Sequence, residues 1–474
     1  MTKIREAEDN SPCLMNCAPL IVRQRQHFQT GATRPVAFRL DQLRRLHAAI
    51  EAREAALLSA LHADLRKSLH EAYISEIGFV LSDIRYALKH LPAWAKPKRR
   101  RLPLLAWPGR AAVHPEPFGV ALIIGPWNYP FQLLFSPLVG AIAAGNCVVL
   151  KPSEFAPHTG AVITKLIADT FPAEYITVVE GDREVAEALL REKFDTIFFT
   201  GSTAVGRAMM AAAAAQLTPV TLELGGKCPC LVCADAPVDA AARRIAWGKF
   251  MNAGQTCVAP DFVLVERPVQ EALIGALQAA VRAFYGDDPR LSPDYGRIVN
   301  RRHFDRLTGL LSAGRIVCGG EHDAGELYLA PTILADVPWD SPVMQEEIFG
   351  PILPVLAFDR LDEALARLAR RPTPLAVYLF TRDRATQERV LAETRSGGVC
   401  LNDTVVHLLS KELPFGGLGE SGMGAYHGRA GFDAFSHYRS VVRRTFFPDF
   451  RLRYPPPRFG LPVLKRVARW LLGA

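Results

Sequence analysis

The sequence contains no run of about 20 apolar residues, so a conventional membrane-spanning helix is not expected. Its first residues, MTKIREAEDN, lack the apolar core of a secretory signal, and a cytoplasmic protein is expected. No internal repeat is visible. Zinc-finger spacing and RNA-module signatures are also missing, so the net charge of +8 points to anionic ligands in general and not to nucleic acid. Charged residues make up only 22% against 49% hydrophobic ones, which excludes a disordered chain. The nine cysteines are odd in number and scattered, which suits a reducing compartment better than a disulfide framework. Cys13 and Cys17 form a C-x3-C, and Cys228, Cys230 and Cys233 cluster in CPCLVC. No histidine flanks either group closely, so both read as buried or incidental thiols, and no metal site is expected.

What is present is a long α/β chain. Its 474 residues exceed one ordinary core, and two or three domains are expected. Residues 38–96 carry Leu40, Leu43, Leu46, Ile50, Leu57 and Leu61 at helical spacing. The basic, proline-broken stretch KPKRRRLPLL then acts as a linker or the start of a β arm, its charge a solvated face. From Gly119, apolar runs alternate with helical segments: GVALIIG, CVVLK, YITVVEG, TIFFTG and PVTLEL predict a parallel, doubly wound sheet. A second alternating unit begins near Pro229 with CLVC and FVLVER and continues through RIVCGG, LPVLAF and PLAVYLFT. The fold class is therefore α/β with two doubly wound domains, joined at the Gly225-Gly226 hinge. Past Arg451 the chain is proline-broken and ends in VLKRVARWLL. Val463, Leu464, Val467, Ala468 and Leu471 share one helical face and Lys465, Arg466 and Arg469 another. With Trp470, this segment lies on an anionic membrane surface, packs on its own protein, or is a frayed tail.

Six short motifs carry candidate chemistry. IFFTGSTAVGR (197–207) is a strand, a turn with Gly201, Ser202 and Thr203, and a helix start with Gly206. Such a helix N-terminus suits a pyrophosphate, although Thr203 stands where the middle glycine of G-x-G-x-x-G belongs. KPSE places Lys151 and Glu154 at a strand end, where they either meet a ribose or simply pair as a cap. NAGQTC sets Cys257 on a glycine-containing loop, as a nucleophile or as a small buried hydrophobe. LELGGK puts Glu223 at a strand end, as a general base or a structural ion-pair partner. GPWNYP offers the Asn128 amide to an oxyanion, or is a turn framed by Pro126 and Pro130. EEIFGP completes the set with Glu347 and Phe349.

In this order, and with LPFGG at 413–417, the motifs resemble the aldehyde dehydrogenase superfamily over about residues 20 to 446. GQTCVAPD and SGMGAYHGRAGFDAFSH resemble its class 3 branch, which includes enzymes for fatty, aromatic and coniferyl-type aldehydes. The resemblance implies that Cys257 attacks the aldehyde, that Asn128 and the Cys257 N–H hold the oxyanion, and that Glu223 activates water against the thioester. It implies that Lys151 and Glu154 meet the adenosine ribose and that Gly201, Ser202, Thr203 and Gly206 form the turn beside the dinucleotide. It implies that Glu347 holds the nicotinamide ribose, with Trp127 and Phe349 also at the cofactor. NAD is favoured over NADP because Glu154 would repel a 2′-phosphate, although class 3 relatives often accept both. A homodimer follows by analogy. The implied division is a cofactor domain (20–225, with 98–117 in a β arm), a catalytic domain (226–404), an oligomerisation arm (405–446) and a tail (447–474). The tail lacks the apolar anchor of the fatty-aldehyde branch. Two rivals are acyl transfer to coenzyme A, which the Glu223 position argues against, and a non-enzymatic scaffold, which the intact Cys257, Glu223 and Asn128 oppose.

Overall fold

The computed structural model describes residues 17–103, 106–449, 454–456 and 460–472, so Cys13 and the first residues lie outside it. The helical periodicity of the N-terminal region becomes a stack of helices: α1 (Ala18–Gln29), α2 (Val36–Glu51), α3 (Glu54–Leu65), α4 (Leu69–Ala72), a π-helical turn (Tyr73–Ile77) and α5 (Gly78–Trp94). Leu43, Leu46, Ile50, Leu57 and Leu61 are fully buried, as their spacing predicts. The stretch is not one helix, however. Arg66 closes α3 at φ 53°, and the Ser68 side chain caps α4 by accepting from the Glu71 N–H.

The basic stretch forms β1 (Lys98–Arg100), which pairs with β2 (Gly109–Pro117). Next come β3 (Val120–Ile124), α6 (Gln132–Ala144), β4 (Cys147–Lys151), α7 (Pro157–Thr170), β5 (Ile176–Val178), α8 (Arg183–Arg191), β6 (Thr196–Gly201), α9 (Thr203–Ala215) and β7 (Val220–Leu224). Strands β3 to β7 are parallel, in the order β7-β6-β3-β4-β5. The chain leaves β3 in one direction to β4 and β5 and returns on the other side to β6 and β7. This reversal opens a crevice at the C-terminal ends of β3 and β6, where such sheets bind ligands.

After Gly226, at φ 155°, the chain enters a second sheet. It comprises β8 (Pro229–Val232), α10 (Val238–Phe250), β9 (Phe262–Glu266), α11 (Gln270–Tyr285), α12 (Arg301–Thr308), β10 (Arg315–Cys318), a small hairpin of β11 (His322–Asp323) and β12 (Tyr328–Leu329), β13 (Thr332–Ala335), β14 (Ile352–Phe358), α13 (Leu361–Ala369), β15 (Ala376–Phe380), α14 (Arg384–Glu393) and β16 (Gly398–Leu401). The order is β10-β13-β14-β9-β8-β15-β16. β10, the RIVCGG strand, runs antiparallel to β13 because no helix crosses over between them. Cys228, Cys230 and Cys233 are buried thiols around β8.

The final elements return to the first sheet. β17 (Gly422–Met423) adds an antiparallel sixth strand outside β7, which the strand-and-helix alternation does not predict. α15 (Gly428–Ala434) packs on α6, and β18 (Ser436–Arg444) pairs with β2 along its whole length, making the three-stranded arm β1-β2-β18. Residues 405–446 thus divide between the edge of the first sheet and the arm. The last described helix is α16 (Leu461–Leu472).

Helices α6 and α15 meet backbone to backbone. A Cβ on Gly140 would lie 2.7 Å from the Gly431 carbonyl oxygen. Gly140→Ala is therefore expected to destabilise the fold by about 1–3 kcal/mol in urea unfolding. An unchanged midpoint would show that the helices separate at no cost.

Candidate active site

The first wall of the site is the turn after β3. Asn128 is 3% exposed, and its side-chain Nδ2 donates to the Gln255 carbonyl at 3.0 Å. Its own carbonyl accepts from Asn252 Nδ2 at 2.9 Å and from Lys67 Nζ at 2.8 Å. The Tyr129 hydroxyl shares a 2.8 Å hydrogen bond with Thr256 Oγ1. These contacts lace the turn of the first sheet to the NAGQTC loop of the second.

That loop needs an unusual backbone. Past the end of α10, Asn252 and Ala253 adopt φ 52° and Gly254 φ 73°. Left-handed non-glycine residues cost about 1–3 kcal/mol each, so the surroundings must hold them. Gln255, fully buried, does so: Nε2 donates to the Asn252 and Arg297 carbonyls at 3.0 and 2.9 Å, and Oε1 accepts from Val299 N–H at 3.0 Å. Glycine is required at 254 because a Cβ would sit 2.2 Å from the Gly350 carbonyl oxygen. The loop leaves Cys257 partly accessible, whereas Cys228 and Cys230 are sealed in the core.

Glu223, near the end of β7, is buried and lies in register with Thr200 of β6. Among the described residues its carboxylate makes no hydrogen bond of full geometry, and only the Thr200 hydroxyl and the Cys257 thiol lie near enough to favour its charged form. Burial raises the Glu223 pKa to about 7, with the Cys257 thiol and Thr200 hydroxyl holding it down. The Cys257 thiol is pushed well above its ordinary value, first by burial and then by the charges of Glu223 and Glu347. Glu347 itself is raised to about 8 by burial and by repulsion from Asp261, opposed by the Gly226 N–H and Lys227. Burial and the two neighbouring carboxyl groups thus hold the thiol toward its protonated form.

The Glu347 turn is fixed by residues that the motif reading passed over. Lys227 and Asp261 form a buried ion pair. Lys227 Nζ also donates to the Val343 and Glu346 carbonyls at 2.8 Å each, and Asp261 Oδ1 accepts from Ile348 N–H at 2.8 Å. The signal was present, since both residues belong to quoted motifs, LELGGK and GQTCVAPD. Phe349, at φ 48°, meets Trp127 edge-on with ring centres 5.3 Å apart.

The other expected residues line the crevice edge of the first sheet. Lys151, buried at the end of β4, pairs with Glu154 at 3.0 Å. Ser202 caps α9 by accepting from Val205 N–H, and Thr203 Oγ1 donates to the Glu420 carbonyl at 2.9 Å. Gly201 ends β6, and Gly206 lets α9 press on β7, where a Cβ would fall 2.6 Å from Leu224. Close helix-to-strand packing is what the last glycine of a dinucleotide turn provides.

A doubly wound sheet with such a turn at its switch point, laced through Asn128 and Tyr129 to a loop of a second sheet, has the build of a dinucleotide-dependent dehydrogenase. The model of the aldehyde dehydrogenase family matches residues 20–441, and the chain belongs to that family. It is an oxidoreductase acting on aldehydes. It is 48% identical to the 4,4′-diaponeurosporen-aldehyde dehydrogenase of Staphylococcus aureus, over 92% of this chain and 96% of that one. It is 46% identical to the dimeric, NADP-preferring aldehyde dehydrogenase of Mus musculus, over 95% of this chain and all of the other. Among solved structures, the substrate-bound state of Staphylococcus aureus AldH superposes with a TM-score of 0.93 at 46% identity, covering 95% of this chain and 99% of that one.

The Lys227–Asp261 pair yields a direct test. Lys227→Met removes the cation bonded to buried Asp261, and a loss of about 3–5 kcal/mol is expected in urea unfolding. Wild-type stability would mean that Lys249, also buried near Asp261, carries its charge unaided.

Proposed function

We propose that the protein oxidises aliphatic or aromatic aldehydes to carboxylates with NAD or NADP, through a thiohemiacetal and a thioester on Cys257. The observation that carries this reading is the Cys257 thiol, on a part-exposed residue, set beside a buried Glu223 carboxyl that burial raises to about 7. A carboxylate poised near neutrality is suited to take protons, first from the thiol and later from water. The sulfur adds to the aldehyde carbon, and the carbonyl oxygen becomes an oxyanion. Asn128 Nδ2 has a second N–H beyond the one bonded to Gln255, and together with the Cys257 N–H it would hold that oxyanion. One such donor is typically worth about 3 kcal/mol in the transition state. When bound, the dinucleotide supplies the hydride acceptor, and loss of hydride from the adduct leaves the acyl thioester. Once Glu223 has passed the thiol's proton to solvent, it deprotonates the water that attacks the thioester; the carboxylate forms and the departing thiolate takes that second proton back.

The cofactor fits the residues present. The turn keeps the close helix-to-strand approach that a dinucleotide needs, since a Cβ at Gly206 would fall 2.6 Å from Leu224. Gly201, Ser202, Thr203 and Gly206 would receive the dinucleotide, Lys151 and Glu154 its adenosine ribose, and Glu347 the nicotinamide ribose, with Trp127 and Phe349 beside it. Glu154 favours NAD by charge, while the name of the NADP-preferring relative supports NADP as an alternative. That relative is also named dimeric, which supports a homodimer built through residues 98–117 and 405–446. The domain division at Gly225-Gly226 belongs to the same reading.

Acylation of coenzyme A is the rival outcome. Product analysis with and without coenzyme A is expected to give free carboxylate in both, and an acyl-coenzyme A product would overturn the hydrolytic reading. Cys257→Ser should abolish turnover while retaining cofactor binding. Thioester hydrolysis should rise with pH through about 7, because Glu223 must be ionised to act as base. Glu223→Gln should slow the step and flatten that profile; an unchanged profile would remove Glu223 from the role.

The tail supports a second proposal, peripheral contact with an anionic membrane. In α16, Leu461, Val463 and Leu464 are exposed alongside Lys465, Arg466 and Arg469. Among the described residues no helix is long and apolar enough to cross a membrane. Co-sedimentation with phosphatidylserine vesicles should fall on deletion of residues 457–474, and equal sedimentation would sink the idea.

A further inference from the structure

The helical N-terminal region sends one ion pair into the catalytic centre. Lys67, between α3 and α4, and Glu76, in the π-helical turn, are both completely buried and 2.5 Å apart. Lys67 Nζ also donates to the Asn128 carbonyl at 2.8 Å and lies 3.9 Å from the centre of the Tyr129 ring. The second Glu76 oxygen accepts from Phe131 and Gln132 N–H at 3.0 and 2.9 Å, the otherwise unsatisfied donors at the start of α6. The pair thus holds both ends of the segment Asn128–Gln132. Asn252 Nδ2 converges on the same Asn128 carbonyl.

We propose that Lys67 and Glu76 are positioning residues that fix the angle of the Asn128 amide, and so set how well it stabilises the oxyanion. This rests on the oxyanion role proposed above for Asn128. A buried ion pair contributes little net stability compared with a well-packed apolar pair, so its position here points to placement of the turn. The Asn128 side chain projects from a peptide plane whose carbonyl is pinned by two donors. Releasing the stronger, charged donor lets that plane rotate, and an amide displaced by an ångström no longer meets the developing charge.

Two double variants separate placement from bulk structure. Lys67→Gln with Glu76→Gln removes both charges yet keeps a donor for the Asn128 carbonyl and an acceptor for the start of α6. Lys67→Met with Glu76→Gln differs only in lacking the donor. Thermal melts and NAD affinity would establish that each is folded. The Gln/Gln enzyme should keep kcat within a few-fold of wild type. The Met/Gln enzyme should lose kcat by roughly 100-fold, the scale of one oxyanion donor, with little change in KM for benzaldehyde. In an Asn128→Ala background the same replacement should cost nothing further, because no amide remains to place. Equal kcat for the two double variants, or an equal loss in the Asn128→Ala background, overturns the proposal. Glu76→Asp keeps both charges and draws the carboxylate back by one methylene. A smaller kcat loss that also vanishes with Asn128→Ala is expected, and an unchanged kcat overturns the proposal independently. Full turnover by Asn128→Ala alone would instead remove the oxyanion role of Asn128.

Discussion

The lacing of the 125–130 turn to the 252–257 loop is the constraint on which the centre depends. The two segments come from different sheets, and neither has a regular backbone to hold it. Asn128 to Gln255, Asn252 to Asn128 and Tyr129 to Thr256 tie them together through groups excluded from water. Buried polar groups bonded in this way are costly to separate, because each partner would be left unsatisfied. The left-handed residues 252–254 are tolerated because Gln255 satisfies the surrounding carbonyls and N–H groups.

A second constraint is electrostatic. Asp261 and Glu223 raise the Glu347 pKa, Glu223 and Glu347 raise that of the thiol, and Lys227, Lys249 and Arg306 are the cations set against Asp261 and Glu347. A positive cofactor ring would enter a region that already favours positive charge. Burial without full pairing keeps two carboxyl groups near neutral pH, where they can exchange protons. Elsewhere, buried carboxylates such as Glu76 and Asp83 sit against lysines.

Much of this was legible in the sequence. Apolar runs between helical segments located β3 to β7 of the first sheet and five strands of the second, but missed β13 and β16, and the ordered motifs picked out Cys257, Glu223, Asn128 and the crevice residues as candidates. The breaks in the N-terminal helices were less visible, because Arg66 ends α3 with a conformation that arginine does not advertise. β17 was missed because two residues carry no periodicity, and its place is set by the opposite edge of β7. Lys67 and Glu76 escaped for a similar reason: charged residues in a helical stretch look solvated until a turn from far along the chain buries them.

The return of Gly422–Met423 to β7 bears on how the molecule is made. Gly422 pairs with Glu223 itself, and Leu224 N–H donates to the Ser421 carbonyl. On a ribosome, the outer edge of β7 stays unpaired until nearly the whole chain has emerged. During that interval the strand carrying Glu223 presents open backbone donors and acceptors to any neighbouring chain. The site is therefore among the last parts to be sealed, and crowded synthesis exposes it to edge-to-edge misassembly. Truncated chains ending before residue 421 retain this open edge permanently.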